Sequence, residues 1–370
     1  MDLAPEILVF STKGTGSNEE DRIRELTKNF RTDLIPFDKQ KKWKSFRGLM
    51  ARFAGSRRKL IVMEGTGIAG GIACLLARIL YGHRFVFSSG DAVGPFVGAH
   101  YRLLGFVFGW YERLLCKTSS GFIGWTPYLV GRALTFGAPC GVTAAGWVIG
   151  KCDTDTAQSR SLIRRKWGIS DEKIVFGLVG ATIWNHRRQY CYGLELINAI
   201  RASRRSDIAV VVIGDGSGLE KLHHAAGDEL GRRVFLPGRV SLDEVMECLS
   251  GMDIASLPQS TDAVGAFRYT TKVSEYRKAN LPIVTTRIPM AYDLNLGKCW
   301  RLPGTSPWDP VFVRSLTDLM ESINRDQLEE WKTRYDACED DVFRREDQVR
   351  RVTAFLSELL ESLDFQRKSH

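Results

Sequence analysis

Arg187 and Arg188 stand in the segment GATIWNHRRQYCYGLELI, residues 180–197, which opens with a glycine where an apolar β-branched run ends. A glycine at such a handover lets the backbone approach a ligand, and two adjacent guanidinium groups supply fixed positive charge, a combination that suits a diphosphate. Thr182 lies in the same loop, and Gly193 precedes the apolar pattern of a helix. A second apolar run ends in Gly214-Asp215-Gly216-Ser217-Gly218, another tight turn. Further along, Gly238, Arg239 and Val240 follow a short run, and RYTTKVSEYRKANLPIVTT at 268–286 places Thr270, Thr271, Lys272 and Glu275 on the first turns of an expected helix. Lys272 can neutralise phosphate, helix-start hydroxyls and amides can bind anionic oxygens, and Glu275 can accept hydrogen bonds from both hydroxyls of a ribose.

The elements that must position these groups alternate short β-branched runs with longer helical patterns, the signature of parallel sheets built from βαβ units. Strands are expected at 7–11, 60–63, 85–88, 121–124 and 144–148, then at 174–179, 208–213, 234–236, 254–257 and 283–286. That makes an α/β chain of two doubly wound sheets, and ligands of open parallel sheets bind along the carboxyl edge. At 370 residues the chain exceeds the ~250 to 300 at which one core stops growing. A shift to small polar residues around 146–155 sets the expected domains at 1–150 and 151–340. A last amphipathic helix, at 341–370, repeats Val349, Val352, Phe355, Leu356, Leu359, Leu360 and Leu363 and should cross back to the first domain.

Composition narrows the classes. Hydrophobic content of 44% and charged content of 26% are those of a globular enzyme rather than a disordered chain. Eight cysteines, with no Cys-x-x-Cys pair among them, read as reduced thiols of a cytoplasmic protein, and Met1 to Glu6, with its acids and proline, is not expected to open a secretory leader. Residues 1–150 hold 20 Lys and Arg against 11 Asp and Glu, while the remainder balances at 32 against 32. The excess clusters from Lys39 to Lys44 and on through Arg47, Arg52, Arg57, Arg58 and Lys59, with Trp43, Phe46, Leu49 and Phe53 between. Basic residues among aromatics suit an anionic membrane surface or a phosphate-bearing acceptor; a solvated helix face with core anchors is the alternative. The apolar stretch 96–115, FVGAHYRLLGFVFGWYERLL, reads first as a buried core helix and second as a monotopic membrane contact delivering a lipid-linked acceptor.

The order of the motifs in the second half resembles the nucleotide-sugar-binding domain of the large retaining GT-B glycosyltransferase family, family four or glycosyl transferases group 1. The likeness runs over about 161–300: "KWGI", the glycine at 180, "GDG" at 214–216, "F.PGRVS..EV" at 235–245, "DIASLPQS" at 253–260 and "TKVSEY...LPIVTT" at 271–286. The resemblance implies a GT-B fold, two Rossmann-like domains facing across a cleft. It implies a hexosyltransferase of polysaccharide biosynthesis, moving a sugar from a UDP- or GDP-sugar to a hydroxyl of a glycan or lipid-linked glycan. In that reading Arg187 or Arg188 and Lys272 hold the diphosphate, Glu275 the ribose, and the base lies near Arg239 and Val240. The glycine loop of Gly14 and Gly16, in STKGTGS, faces the interdomain cleft in the family and is assigned to donor binding, and Asp91 and His100 are candidates for the same cleft, Asp91 as a catalytic group; a capping or surface role is the plainer reading of both. Two positions depart from the family: Phe267 replaces a Glu that contacts the donor sugar, and Tyr192-Gly193 replaces Lys-Gly.

No metal or other cofactor is expected, with cations stabilising the leaving diphosphate instead. Asp153-Thr154-Asp155 has metal-motif spacing but lies in the expected linker, and nucleic acid is not an expected partner. Two rivals remain. A non-catalytic nucleotide-sugar-binding subunit would explain Phe267. An NAD-dependent oxidoreductase would explain Gly65-Thr66-Gly67-Ile68-Ala69-Gly70 followed by a helix, a strand and Asp91, although small residues also serve close packing of helix on sheet.

Overall fold

The computed structural model describes residues 7–56, 58–147, 156–293, 299–336 and 343–368. Arg57, the 153–155 motif, Val148, Cys152 and Cys338 therefore lie outside the described residues, as does the side chain of Leu363. The strands are β1 (Ile7–Ser11), β2 (Thr32–Leu34), β3 (Leu60–Glu64), β4 (Arg84–Ser89), β5 (Gly121–Gly124), β6 (Gly141–Thr143), β7 (Ile174–Val179), β8 (Ile208–Ile213), β9 (Val234–Gly238), β10 (Ile254–Leu257), β11 (Ile283–Thr285) and β12 (Cys299–Arg301). The helices are α1 (Asn18–Leu26), α2 (Lys42–Ala54), α3 (Ile68–Tyr81), α4 (Val93–Gly98), α5 (Arg102–Thr118), α6 (Pro127–Thr135), α7 (Thr156–Trp167), α8 (Leu194–Ala202), α9 (Leu219–Ala226), α10 (Val245–Ser250), α11 (Lys272–Lys278), α12 (Pro310–Ser322), α13 (Arg325–Asp336) and α14 (Arg345–Lys368). The chain divides into two compact units: residues 1–146 with 267–269 and 342–370, and residues 147–266 with 270–341.

The first unit holds a parallel sheet ordered β2-β1-β3-β4-β5-β6. Its strands β1 and β3 are buried from end to end, because helices cover both faces of a parallel sheet. Right-handed crossovers send α1 to one face and α2, α3, α5 and α6 to the other. The packing agrees: α2 lies on α3, α3 on α5 and α5 on α6, whereas α14 packs on α1 and β6. Ser17 caps α1 by accepting from the Glu20 amide, and Glu20 returns to accept from the Gly16 amide at 2.7 Å. The core gathers Leu8, Phe10, Phe53, Ile61 and Phe87 between the layers.

Three expectations are corrected here. The last strand lies at Gly141–Thr143 rather than 144–148: the Ala144 amide still bonds Gly124, but that of Ala145 turns to the Gln348 side chain of α14 at 3.0 Å, taking the chain out of the sheet. The three-residue edge strands β2 and β12 escaped notice because pairing with one neighbour needs no apolar run. The apolar stretch around α5 is not a core helix: Leu103 is 85% exposed, and only Glu112, Leu115 and Cys116 of α5 are buried.

The second unit is a parallel sheet ordered β12-β11-β10-β7-β8-β9. From the central β7 the chain winds outward to β9, then returns to β10 on β7's other side, so the winding direction reverses between β7 and β10, where open sheets leave a crevice beyond their carboxyl ends. Phe176, Ile197, Val210, Phe312 and Leu316 anchor the core. A buried ion network ties α7 beneath the sheet. Asp253 accepts from Arg164 at 2.6 Å, from Arg160 at 2.7 Å and from the Val175 amide at 2.8 Å, and Arg164 also donates to the Gly251 and Lys173 carbonyls at 2.9 Å each.

Candidate functional site

The turns after β7 and β8 interlock at the carboxyl edge. The Gly180 amide bonds the Ile213 carbonyl (2.9 Å), Thr182 the Asp215 carbonyl (3.0 Å), Gly218 the Thr182 carbonyl (2.7 Å) and Gly214 the Gly238 carbonyl (2.8 Å). The approach is so close that a Cβ on Gly214 would run into the Gly180 carbonyl oxygen. These glycines thus serve backbone-to-backbone stacking that brings three strand ends into one ledge. Thr182 is buried inside it, its hydroxyl without a hydrogen-bond partner among the described residues.

Lys272 enters this ledge from the first residue of α11. A Cβ on Gly180 would lie 2.5 Å from its Cε and 2.8 Å from its Nζ, so the missing side chain is what admits the lysine. Its Nζ also sits 5.2 Å over the ring of Tyr192, the residue standing where the family pattern has lysine. Tyr192 therefore does not restore the second ammonium; it seats the one that Lys272 provides. Helix α11 spans only seven residues, and Thr271 makes no side-chain capping bond, so the fixed positive charge here is the lysine rather than a long helix's dipole. Thr270 accepts from the Lys272 amide through Oγ1 at 3.4 Å, and Thr271 is exposed. Burial pushes the Glu275 carboxyl above its usual 4.5, and Lys272 draws it partly back.

Arg187 and Arg188 sit on a small loop whose ends, Asn185 and Tyr190, pair antiparallel; Asn185 Oδ1 accepts from both arginine amides at 3.0 Å. The Arg188 guanidinium donates to Asp262 at 2.9 Å and lies 4.4 Å over the Trp308 ring. Trp308 touches Tyr190 (5.2 Å between ring centroids), and Tyr190 touches Tyr192 (6.3 Å), so an aromatic row links Arg188 to the ring that seats Lys272. Arg187 is exposed on the same loop.

Sequence reasoning missed the residues that hold this row. Buried Glu195 accepts from the Tyr190 hydroxyl at 2.8 Å, from the Gly193 amide at 3.0 Å and from the Ser256 hydroxyl at 3.1 Å, pinning the loop onto α8 and β10. Its carboxyl is raised by burial, with those same donors opposing. Asp262 is pushed up by burial but held below its usual value by Ser260, the amides of Val264 and Gly265, and Arg188. An acid in the first turn of an apolar helix was the available signal for Glu195; nothing local marked Asp262 or Trp308, which reach Arg188 from distant segments. Arg239 is exposed and Val240 half-buried just after β9, one strand outward from Gly214.

The remaining candidates belong to the first unit. Gly14 and Gly16 both have positive φ, at 109° and 77°, in the loop between β1 and α1, where Glu20 already takes the Gly16 amide. Asp91 forms an ion pair with Arg268 at 3.0 Å, and His100 is exposed at the turn between α4 and α5. Phe267 packs against this unit's core, with Arg132 5.3 Å over its ring and its carbonyl accepting from Thr126 at 2.9 Å. The glycines of the dinucleotide-like motif close around Thr12: a Cβ on Gly65, Gly67 or Gly70 would lie 2.5, 2.8 and 2.5 Å from that side chain. The space a pyrophosphate would need is filled by a threonine, so the three glycines serve packing.

Comparisons with known proteins meet this geometry. Residues 173–298 match the family model described as glycosyl transferases group 1. No curated protein matches the sequence. Among solved structures the chain is similar to HepE of Anabaena in complex with UDP-glucose, at 15% identity over 96% of this chain and 100% of that one, TM-score 0.70. It is similar to sucrose-phosphate synthase from Thermosynechococcus elongatus at 11% identity over 96% and 100%, TM-score 0.66. It is similar to WaaG, a glycosyltransferase involved in lipopolysaccharide biosynthesis, at 14% identity over 93% and 98%, TM-score 0.61. At such identities the likeness is one of fold. The matching segment covers the ledge of Gly180, Gly214 and Lys272, and the chain thus has the α/β GT-B fold, with residues 173–298 matching the glycosyl transferases group 1 model.

Proposed function

We propose that the chain transfers a hexose from a nucleoside-diphosphate sugar to a hydroxyl of a glycan or lipid-linked glycan, with retention of anomeric configuration, in polysaccharide biosynthesis in the cytoplasm. One observation carries the reading: the Lys272 ammonium lies against Gly180 at the carboxyl edge of β7, beside the point where the winding of the sheet reverses. The bond from the anomeric carbon to the diphosphate breaks, a bond to the acceptor oxygen forms, and the acceptor's proton passes to an oxygen of the departing diphosphate as that group takes on charge. Lys272, Arg188 and Arg187 are assigned to stabilise that charge, and no metal is assigned to the step. Arg239 and Val240 are assigned to the base, and the UDP-glucose bound by HepE makes uridine the first choice. Asp91 is left out of the chemistry, because its carboxylate is engaged with Arg268.

The test is thermal stabilisation by UDP, GDP, TDP and NAD, with detection of nucleoside diphosphate released from the matching sugar. A ligand present at 100 times its Kd stabilises by about 2.7 kcal/mol, so the correct nucleotide raises Tm and NAD does not. Failure of every nucleoside diphosphate to raise Tm overturns the assignment. Binding without release of diphosphate favours a non-catalytic subunit, the reading to which Phe267, a half-buried apolar side chain packed on the first unit's core where the family has a Glu, gives support.

Glu275 makes donor binding pH-dependent. A ribose donates to the ionised carboxylate, and burial has raised this group above 4.5, so UDP affinity weakens as pH falls through that raised value. The linkage to folding has the opposite sign: a carboxyl raised in the folded state contributes stability at low pH that is lost as pH rises, so unfolding at this group does not cause the loss. Calorimetry comparing UDP with inorganic pyrophosphate isolates the effect, since pyrophosphate has no ribose. Glu275→Gln should weaken UDP roughly tenfold or more and leave pyrophosphate unchanged.

A further inference from the structure

Along α5, Leu103, Phe106, Val107, Trp110 and Leu114 recur at intervals of three and four, and all five are exposed, Phe106 at 71% and Trp110 at 62%. The helix's other side is committed to the protein. Gly105 and Gly109 meet α4 so closely that a Cβ on Gly105 would lie 2.5 Å from the Gly98 Cα, while Glu112, Leu115 and Cys116 are buried. The stripe therefore cannot roll inward. Next to it α3 exposes Ile68, Ile72, Ile79 and Leu80, and beyond α3 the helix α2 exposes Trp43 at 79%. Scattered exposed apolar residues are ordinary, but a continuous stripe of large ones on one helix marks a surface that something covers.

Charge indicates what covers it. Helices α2, α3, α4 and α6 contain no acidic residue, and the one acid of α5, Glu112, is buried and paired with Arg132 at 2.8 Å. Arg102 and Arg113 are exposed beside the stripe and Lys117 at its C-terminal end, where long side chains can keep their charges in water while their stems lie on apolar ground. On the opposite face of the sheet the charges are mixed, with Glu19, Glu20 and Asp21 on α1 and Glu346 and Asp347 on α14 standing among arginines such as Arg24, Arg345 and Arg350 that pair with some of them. An apolar arc edged by cations on one side of the unit fits a layered environment, acyl chains beneath anionic headgroups. Among the described residues no helix is long and apolar enough to cross a membrane, so the contact is one of lying in the surface.

We propose that α5, with the adjoining outer faces of α3 and α2, docks the first unit into the interface of an anionic lipid bilayer. Docking in this way is independent of the donor reaction and requires no nucleotide. The intact chain should sediment with vesicles of equal parts phosphatidylglycerol and phosphatidylcholine, and partition roughly tenfold or more weakly onto phosphatidylcholine alone. Phe106→Ser with Trp110→Ser should lower partitioning onto the mixed vesicles by roughly tenfold or more, since the apolar area that enters the acyl boundary is removed. A second variant, Arg102→Gln with Arg113→Gln and Lys117→Gln, should lower it and flatten its dependence on salt. All five positions are exposed, and a melting curve verifies each fold. Wild-type chain left in the supernatant, or both variants sedimenting like wild type, overturns the proposal. So does a concentration-dependent dimer in sedimentation velocity that Phe106→Ser with Trp110→Ser abolishes, since the stripe would then belong to a second copy.

Discussion

Lys272→Ala is expected to lower kcat/KM by about 10²- to 10³-fold, the usual cost of removing one preorganised group that stabilises developing negative charge. The same substitution should leave Tm nearly unchanged, because the lysine is half-exposed and stands at the first residue of a seven-residue helix. Gly180→Ala is the companion variant. Its Cβ would arrive 2.5 Å from the Lys272 Cε and 2.8 Å from the Nζ, pushing the flexible end of that side chain aside, and the backbone at φ 158° adds strain that lowers Tm as well. Activity should therefore fall with Gly180→Ala although every cation is still present, and steady-state kinetics beside a thermal melt separates the two effects. Full activity in both variants would remove the diphosphate from this strand end.

The largest stability loss is expected from Asp253→Ala. Asp253 is nearly fully buried, and its loss strands Arg164, which is completely buried, together with Arg160. Breaking a buried pair by removing one partner costs about 3–5 kcal/mol, which for a unit of this size is a fall in Tm on the order of 10 °C. The pair is not thereby a source of net stability; the cost comes from the charges left without a counterion. Burial pushes the Asp253 carboxyl up, but Arg160, Arg164 and the Val175 amide together hold it below its usual 3.8. A depressed carboxylate contributes stability above the unfolded value that is lost as pH falls through the folded one, so this group's contribution to acid unfolding appears below pH 3.8. Asp253→Asn should remove that acid-dependent part, readable as a flatter stability profile in urea melts below pH 5.

Much of this protein is written locally. Runs such as Ile208–Ile213, apolar throughout and β-branched at all but Ala209, read as strands buried on both faces, and their alternation with helical patterns already implies doubly wound parallel sheets. Gly180, Gly214 and Lys272 were legible for the same reason, since a glycine at a strand end and a cation at a helix start are chemical requirements met by neighbouring residues. What tertiary structure decided is everything that depends on a partner far along the chain. Asp262 and Trp308 reach Arg188 across more than 70 residues, and Glu195 ties the loop to the sheet because β10 brings Ser256 to it. The motif at 65–70 reads as a dinucleotide loop until Thr12, from the preceding strand's turn, is seen filling it. Helix α5 makes the point most sharply. Its apolar residues say that one face avoids water, but whether protein supplies that shelter depends on which surfaces the fold brings near, and here α4 and α3 take the glycine side and leave the aromatic side uncovered.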